Sequence, residues 1–543
     1  MHKIKKQSFV QGIVTLMFSQ VFIKIFGLVY KLYLTNKEGF GDSGNAICSS
    51  GFQIYALLLT ISSVGVPSAV SKLVSERISI GNERGGKRIF KIAFALFSVI
   101  GFISSTFLFI NANFIAVKIL QIPEAELTLQ VLAPSIFFVS IISVFRGYFN
   151  AKENMRPTAN SQSIEQFVKT IFTIGIVEYI CAYISAPNKT AIMAAGASVA
   201  TTIATFIGFL YLFSYYKRDK YVRTINGREK QDRIITIIKN IAVVSAPITI
   251  SAILGTINKN IDSVTIVRGL QNYMTAEEAK IQYGILSGKV ETLITLPMSF
   301  NIALTTSLIP AVAAAKARNC LKDVEKKINI SLLITILIGL PSSIGMIIFA
   351  KQILNLLFPN ASSGAFIYQI SSISIVFVLL NQTITGVLQG LGKQFVPVLS
   401  LVCGVIVKLI ANLILVPMDM NKFILGGTAG AALGTTLCYA ISMVINFVWL
   451  NRSINIKFNK IKFIVKPVVC VFIMAFASKI IFFVLKGIIH EKLATILSII
   501  SAIAIYILCV ANAKIFEKGE LKSKKNIKIC WKFNEILSFF KEI

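Results

Sequence analysis

The first apolar run of the chain carries two lysines. Lys24 and Lys31 are seven residues apart, so a helix sets both on one face about 10 Å apart, with Gln20 and Gly27 on or near the same stripe. Two cations on one stripe at membrane depth suit a pyrophosphate or another polyanion. The competing reading lets Lys31 reach to the outer interface. Asp262 ends a later run in NKNID, three residues after Lys259. It reads as a cation ligand or as half of an i,i+3 pair. Lys408 stands inside another run, four residues before Asn412, and is a candidate cavity charge. Glu165 and Lys169 at i,i+4 read as a structural pair, and Lys289 and Glu291 as interface positions. A charge at bilayer depth costs at least about 2.5–3.5 kcal/mol, so each of these needs a cavity or a partner.

Other chemistry is thinly supported. The only histidines are His2 and His490, and the eight cysteines form no C-x-x-C pair. Neither a metal site nor a disulfide frame is expected, and the cysteines read as small core residues. No G-x-x-x-x-G-K-[ST] occurs, so ATP is not expected at a P-loop.

The elements that must position these residues are helices. The chain has 543 residues, 55% hydrophobic and 15% charged, with a mean hydropathy of +0.74. Soluble domains are nearer 25% charged. The apolar runs approach 20 residues, the length of a membrane helix. The expectation is an all-α polytopic membrane protein of about fourteen spans. They run over 9–34, 46–71, 91–111, 130–149, 162–184, 190–216, 236–262, 283–312, 328–350, 365–390, 394–418, 426–450, 463–486 and 492–513. The first run is too long for a signal h-region and lacks a small-residue cleavage site.

Charge tests that count. Of 55 lysines and arginines, 39 fall in segments on one side of the alternating spans and 9 on the other. A missed span would invert the pattern downstream. The positive-inside rule then makes both termini cytoplasmic. It also accounts for the formal charge of +31 without nucleic acid, since no basic domain stands outside the spans. The longest outer loop, 263–282, offers only Glu277 and Glu278 in a helical run. The basic tail 514–543 reads as an interfacial amphipathic helix or as a solvated tail.

An internal repeat organises the spans. GYFNAKENMRP (147–157) answers to GVLQGLGKQFVP (386–397), and VPSAVSK (66–72) to IPAVAAAK (309–316). Both matches are offset by six spans, an even number, so the halves share one orientation. The expected organisation is an N-lobe (1–216, spans 1–6), a basic linker (217–240), a C-lobe (241–450, spans 7–12), spans 13 and 14 (451–513) and the tail (514–543). Paired six-helix lobes are a transporter architecture, with cargo held between them. Pro67, Pro247, Pro297 and Pro310 lie in spans and suit a rocking bundle.

Three segments carry a family resemblance. FRGYFNAKENMRPTANSQSIEQFVK (145–169), GVPSAVSKLVSE (65–76) and APITISAILGTINKNIDSVTIV (246–267) resemble the stage V sporulation protein B (SpoVB) and YtgP group. That group is similar to the MurJ lipid II flippases, and both belong to the MOP superfamily of multidrug and lipid-linked oligosaccharide exporters. The resemblance extends over nearly the whole chain. It implies a MATE-like fold and a flippase in the bacterial cytoplasmic membrane, serving cell-wall or spore-cortex synthesis. The implied cargo is an undecaprenyl-pyrophosphate-linked sugar, foremost lipid II. The implied surroundings are membrane lipids, with the cell-wall synthesis machinery as a candidate partner.

The resemblance also implies roles for residues. Basic residues flank a glycine in span 1 to reach the pyrophosphate; Lys24 and Lys31 flank Gly27 here. Lysine in place of arginine loses bidentate capture. A sodium site takes an acid at the end of span 7 and an asparagine in span 11, which Asp262 and Asn412 match. Val416 stands where a second acid would follow, and the coupling ion, Na+ or H+, stays open. No other cofactor is implied. Lys289 and Glu291 lie about one turn before the family's charged pair in span 8.

Two rival functions remain at this level. A multidrug-type cation antiporter of the same superfamily predicts acids along the cavity, where lysines stand. A membrane enzyme acting on lipid-linked glycans needs acid and base groups on a sizeable outer loop.

Overall fold

The computed structural model describes residues 9–152, 154–218, 233–318, 321–454, 459, 461–513 and 515. Most of the basic linker and nearly all of the tail lie outside them. Among the described residues the fold is helical throughout, and a long helix lies at each of the fourteen expected positions. They are α1 (Phe9–Asn36), α2 (Gly41–Ser79), α3 (Glu83–Ile110), α4 (Ala125–Ala151), α5 (Arg156–Tyr183), α6 (Lys189–Arg218) and α7 (Ile234–Leu270). The second half holds α8 (Glu291–Ala317), α9 (Leu321–Ile348), α10 (Ala365–Gly390), α11 (Phe395–Leu415), α12 (Gly427–Ile454), α13 (Lys466–Lys486) and α14 (Glu491–Asn512). Among the described residues, ten of these are long and apolar enough to cross a membrane, or eleven with the bent α7 counted as one span. The other three, α1, α5 and α8, each carry charged side chains.

Prolines mark the irregular places. The two parts of α2 meet at 64–65, and Pro67 opens the second part. α7 bends by 43° between Ala246 and Ile248, around Pro247. A proline has no amide hydrogen for the i−4 carbonyl, so a bend at this position has a local cause.

The core is divided unequally. At one end of the bundle a single core holds both lobes, joining Leu34, Ile47 and Leu129 to Ile266, Leu270 and Val416. At the other end the cores are separate. One packs Val70, Phe90 and Phe145 of the first lobe, and Ile237 and Ile241 of α7 cross into it. The other packs Val312, Ile328 and Val387 of the second lobe. The lobes are therefore tied at one end and part at the other, where the start of α7 packs on the first lobe's core.

The sequence repeat is one helix crossing used twice. In the first lobe Gly147 of α4 faces α2, where an added Cβ would stand 2.8 Å from Val70 Cβ and 2.9 Å from the Pro67 carbonyl. In the second lobe the counterpart is Gly390 of α10, one turn past Gly386. A Cβ there would stand 2.8 Å from the Ile309 carbonyl and 2.9 Å from Val312 Cβ. Backbones this close leave space for hydrogen alone. Gly147→Ala and Gly390→Ala should each lower the melting point of the purified protein, by about 1–3 kcal/mol of overpacking. Gly175→Ala, with nothing within 4 Å of the new methyl, should leave it unchanged or raise it slightly. Equal melting points for all three would refute the tight crossings.

Candidate functional site

The long motif at 145–169 builds the scaffold of the site. Arg146 of α4 donates to Glu165 of α5 at 2.7 Å and to the Ser161 hydroxyl at 3.2 Å. Gly208 of α6 leaves the carboxylate its room, since a Cβ there would collide with Glu165 Oε1. Thr158 donates to Asn150 at 2.9 Å across the turn between the helices. Glu165 is thus committed to Arg146 and not to Lys169, its i+4 neighbour.

Lys169 turns to α1 and α2 instead. Its ammonium lies 5.2 Å from the ring centres of both Tyr30 on α1 and Phe52 on α2, a cation–π seat. Lys31 follows Tyr30 and lies within the electrostatic reach of Lys169. Lys24, two turns earlier on α1, is exposed. It feels the ammonium of Lys259, from α7 of the other lobe. Lys259 is bonded to Glu291 of α8. Among the described residues, Lys24, Lys31 and Lys169 have no carboxylate partner. Among the described residues, the ammonium groups of Lys24, Lys31, Lys169 and Lys259 and the carboxylate of Glu291 thus gather where helices of the two lobes meet. Lys169 escaped the sequence reading because its spacing from Glu165 offered a ready pair; Arg146, nineteen residues before Glu165, is the competitor that spacing does not reveal. The side chain of Gln20 lies outside the described residues.

The second set is brought together differently. Asp262 of α7 and Asn412 of α11 meet, with Asn412 Nδ2 donating at 2.9 Å to Asp262 Oδ1 and at 2.9 Å to Thr265 Oγ1. Lys408, expected as a cavity charge, turns its ammonium to Asp262 instead. It is 1% exposed and donates to Asp262 Oδ2 at 2.7 Å and to the Asn258 carbonyl at 2.6 Å. Asn258 donates on to Tyr439 of α12 at 3.2 Å.

A third set latches the lobes at their shared end. Lys289, in the π-helical turn Ile285–Val290 before α8, is fully buried. Its ammonium donates to Asp42 of α2 at 2.9 Å and to the carbonyls of Ala361 and Ser363 at 2.6 and 3.0 Å. Gly284 backs directly onto the Asp42 carbonyl, with no space for a Cβ. On the rim, Lys280 binds Glu124 at 2.7 Å. Burial works against the charge on Glu124, but the Lys280 ammonium prevails and holds its carboxyl below the ordinary range. Lys289 and Glu291, expected as interface positions, thus divide: the first closes the latch and the second pairs with Lys259.

Residues 9–316 match the sequence profile of polysaccharide biosynthesis proteins, and residues 283–414 that of MatE. The chain is 26% identical over 529 residues to stage V sporulation protein B of Bacillus subtilis, covering 95% of this chain and 98% of that one. It is 25% identical over 512 residues to the lipid II flippase MurJ of the same organism, covering 90% and 92%. A solved structure of the lipid II flippase MurJ in an inward closed conformation superposes with a TM-score of 0.69 at 16% identity, covering 92% of this chain and 99% of that one. That likeness establishes the fold.

The latch is testable by itself. Lys289→Met strands Asp42 beside buried carbonyls, and removing one member of a buried pair costs about 3–5 kcal/mol. The Asp42→Asn/Lys289→Met double variant should recover most of that loss in a thermal melt. A double variant no more stable than Lys289→Met would mean that the pair is not coupled.

Proposed function

The chain belongs to the polysaccharide biosynthesis protein family of the MOP superfamily, and on that premise we propose that it is a flippase for polyprenyl-pyrophosphate-linked sugars, with lipid II as its cargo. The observation that carries this reading is the group of three lysines, Lys24, Lys31 and Lys169, that have no carboxylate partner among the described residues, near the meeting of two lobes that share a core at one end. Ammonium groups in that setting lack counter-charge, and a diphosphate supplies it. A cationic drug would be repelled by the same groups. The reading is that of a transporter and not an enzyme.

The charge bias of the loops supports an orientation with the latched end outside and both termini in the cytoplasm. The sugar-pyrophosphate head then enters between the lobes from the cytoplasm, while the polyprenyl tail stays in the bilayer. Lys24, Lys31 and Lys169 hold the phosphates. Release of the Lys289–Asp42 latch, with closure of the opposite end, exposes the head to the outside. Because each lobe is stitched by its own tight crossings, it moves as a unit.

A charge-assisted hydrogen bond contributes about 1.5–3 kcal/mol, and 1.4 kcal/mol is tenfold. Lys24→Gln, Lys31→Gln and Lys169→Gln should therefore each weaken binding of a polyprenyl pyrophosphate by about 10- to 100-fold. In a bacterium whose own lipid II flippase is shut off, the unaltered chain should restore growth. A Lys24→Ala/Lys31→Ala variant expressed at the same level should not. Rescue by both would keep the cargo and discard the phosphate site. Failure of a well-inserted unaltered chain would discard lipid II.

A further inference from the structure

The residues around Asp262 form a seat of hard oxygen donors. The Asp262 carboxylate, the Asn258 carbonyl, the Thr265 hydroxyl and the side chain of Asn412 converge there from α7 and α11. Such a set suits a small monovalent cation, and the family resemblance brings sodium to Asp262 and Asn412. The donors present do not fit it. Lys408 already lies in the seat, with two of its three N–H donors on Asp262 Oδ2 and the Asn258 carbonyl. The other carboxylate oxygen is taken by the Asn412 amide nitrogen. Asn412 therefore turns its donor, not its oxygen, toward the seat. Its Oδ1 is buried without a partner and lies against Gly434 of α12, where a Cβ would stand 2.6 Å away.

Charge leads to the same conclusion. One carboxylate balances one cation. Glu291, the acid whose field also reaches this site, is bonded to Lys259. Val416 stands one turn beyond Asn412 and adds no charge. A sodium ion entering beside Lys408 would be an uncompensated second positive charge in a low-dielectric site. To displace Lys408 it must compete with an ammonium tethered to α11, which never leaves by diffusion.

We infer that Lys408 is a built-in cation: its ammonium takes the place of an exchangeable sodium ion at Asp262, so this chain works without loading sodium there. The pair also fastens the second half of α7 to α11, and Asn258 extends the fastening to Tyr439 of α12. This assignment concerns cation binding and holds whatever the cargo is.

The test is the melting point of the purified protein in sodium, potassium and choline chlorides at equal ionic strength, with binding of radioactive sodium measured beside it. The unaltered chain should show no sodium-specific stabilisation and no bound sodium that depends on Asp262. Lys408→Met should acquire both, with a saturable rise in melting point in sodium that the Asp262→Asn/Lys408→Met double variant lacks. Recovery of Lys408→Met only from membranes prepared in sodium would be the same result. Saturable sodium binding to the unaltered chain that Asp262→Asn abolishes would overturn the inference. So would a folded Lys408→Met that ignores sodium, or one recovered in no cation while the double variant is recovered. None of these readouts involves flipping, so failure here and failure of the flippase reading are distinguishable.

Discussion

Hydrocarbon does not tolerate a bare charge, and this constraint sorts the charged side chains at membrane depth into two kinds. Arg146 with Glu165, Lys289 with Asp42, and Lys408 with Asp262 each join opposite charges from different segments. Removing one member of such a pair is expensive, whereas the pair itself adds little net stability. Their effect is to fix which helices move together. Lys24, Lys31 and Lys169 are of the second kind. With no carboxylate partner among the described residues, they need water or an anion, so on the flippase reading the space between the lobes is polar.

The architecture follows from where the apolar contacts are shared. One core spans both lobes at the latched end, and separate cores hold them apart at the other. A bundle built this way has a preferred place to hinge. The close crossings at Gly147 and Gly390 keep each lobe stiff, because backbones in contact cannot slide without lifting apart. On the flippase reading the latch lies where the lobes separate, and it is a buried ion pair, a contact whose partners can be exchanged for water when the interface opens.

The fold was legible because its signals are long and redundant. Runs of about twenty apolar residues, loop charges that alternate side by side, and a repeat at an even offset all require the same helices, and each of the fourteen has its counterpart. The repeat even named the right surfaces, although its glycine register was one turn off: Gly390, not Gly386, meets the Ile309 carbonyl. The partners of charges were less legible. Spacing along one helix offered Lys169 to Glu165 and Lys259 to Asp262. The structure gives those acids to Arg146 and Lys408, and Lys259 to Glu291. Pairs within a helix are visible in sequence, whereas pairs between helices depend on packing that one sequence does not display.

The assignment of Lys408 bears on what could drive the cycle. With the Asp262 seat filled from within, a sodium gradient has no purchase at that point, and on the flippase reading the membrane potential is a source of energy on which the lysines can draw. Where the lobes meet, four ammonium groups gather with one carboxylate among the described residues. A diphosphate neutralises most of that excess, so the loaded protein moves little net charge as it turns outward. After release the excess is restored, and the return toward the negative interior is downhill by about 2.3 kcal/mol per charge per 100 mV of potential crossed. The resetting step, not the loaded one, is then the step that the potential favours. Lysines without carboxylate partners would serve twice, as the seat for the phosphates and as the charge on which the potential acts.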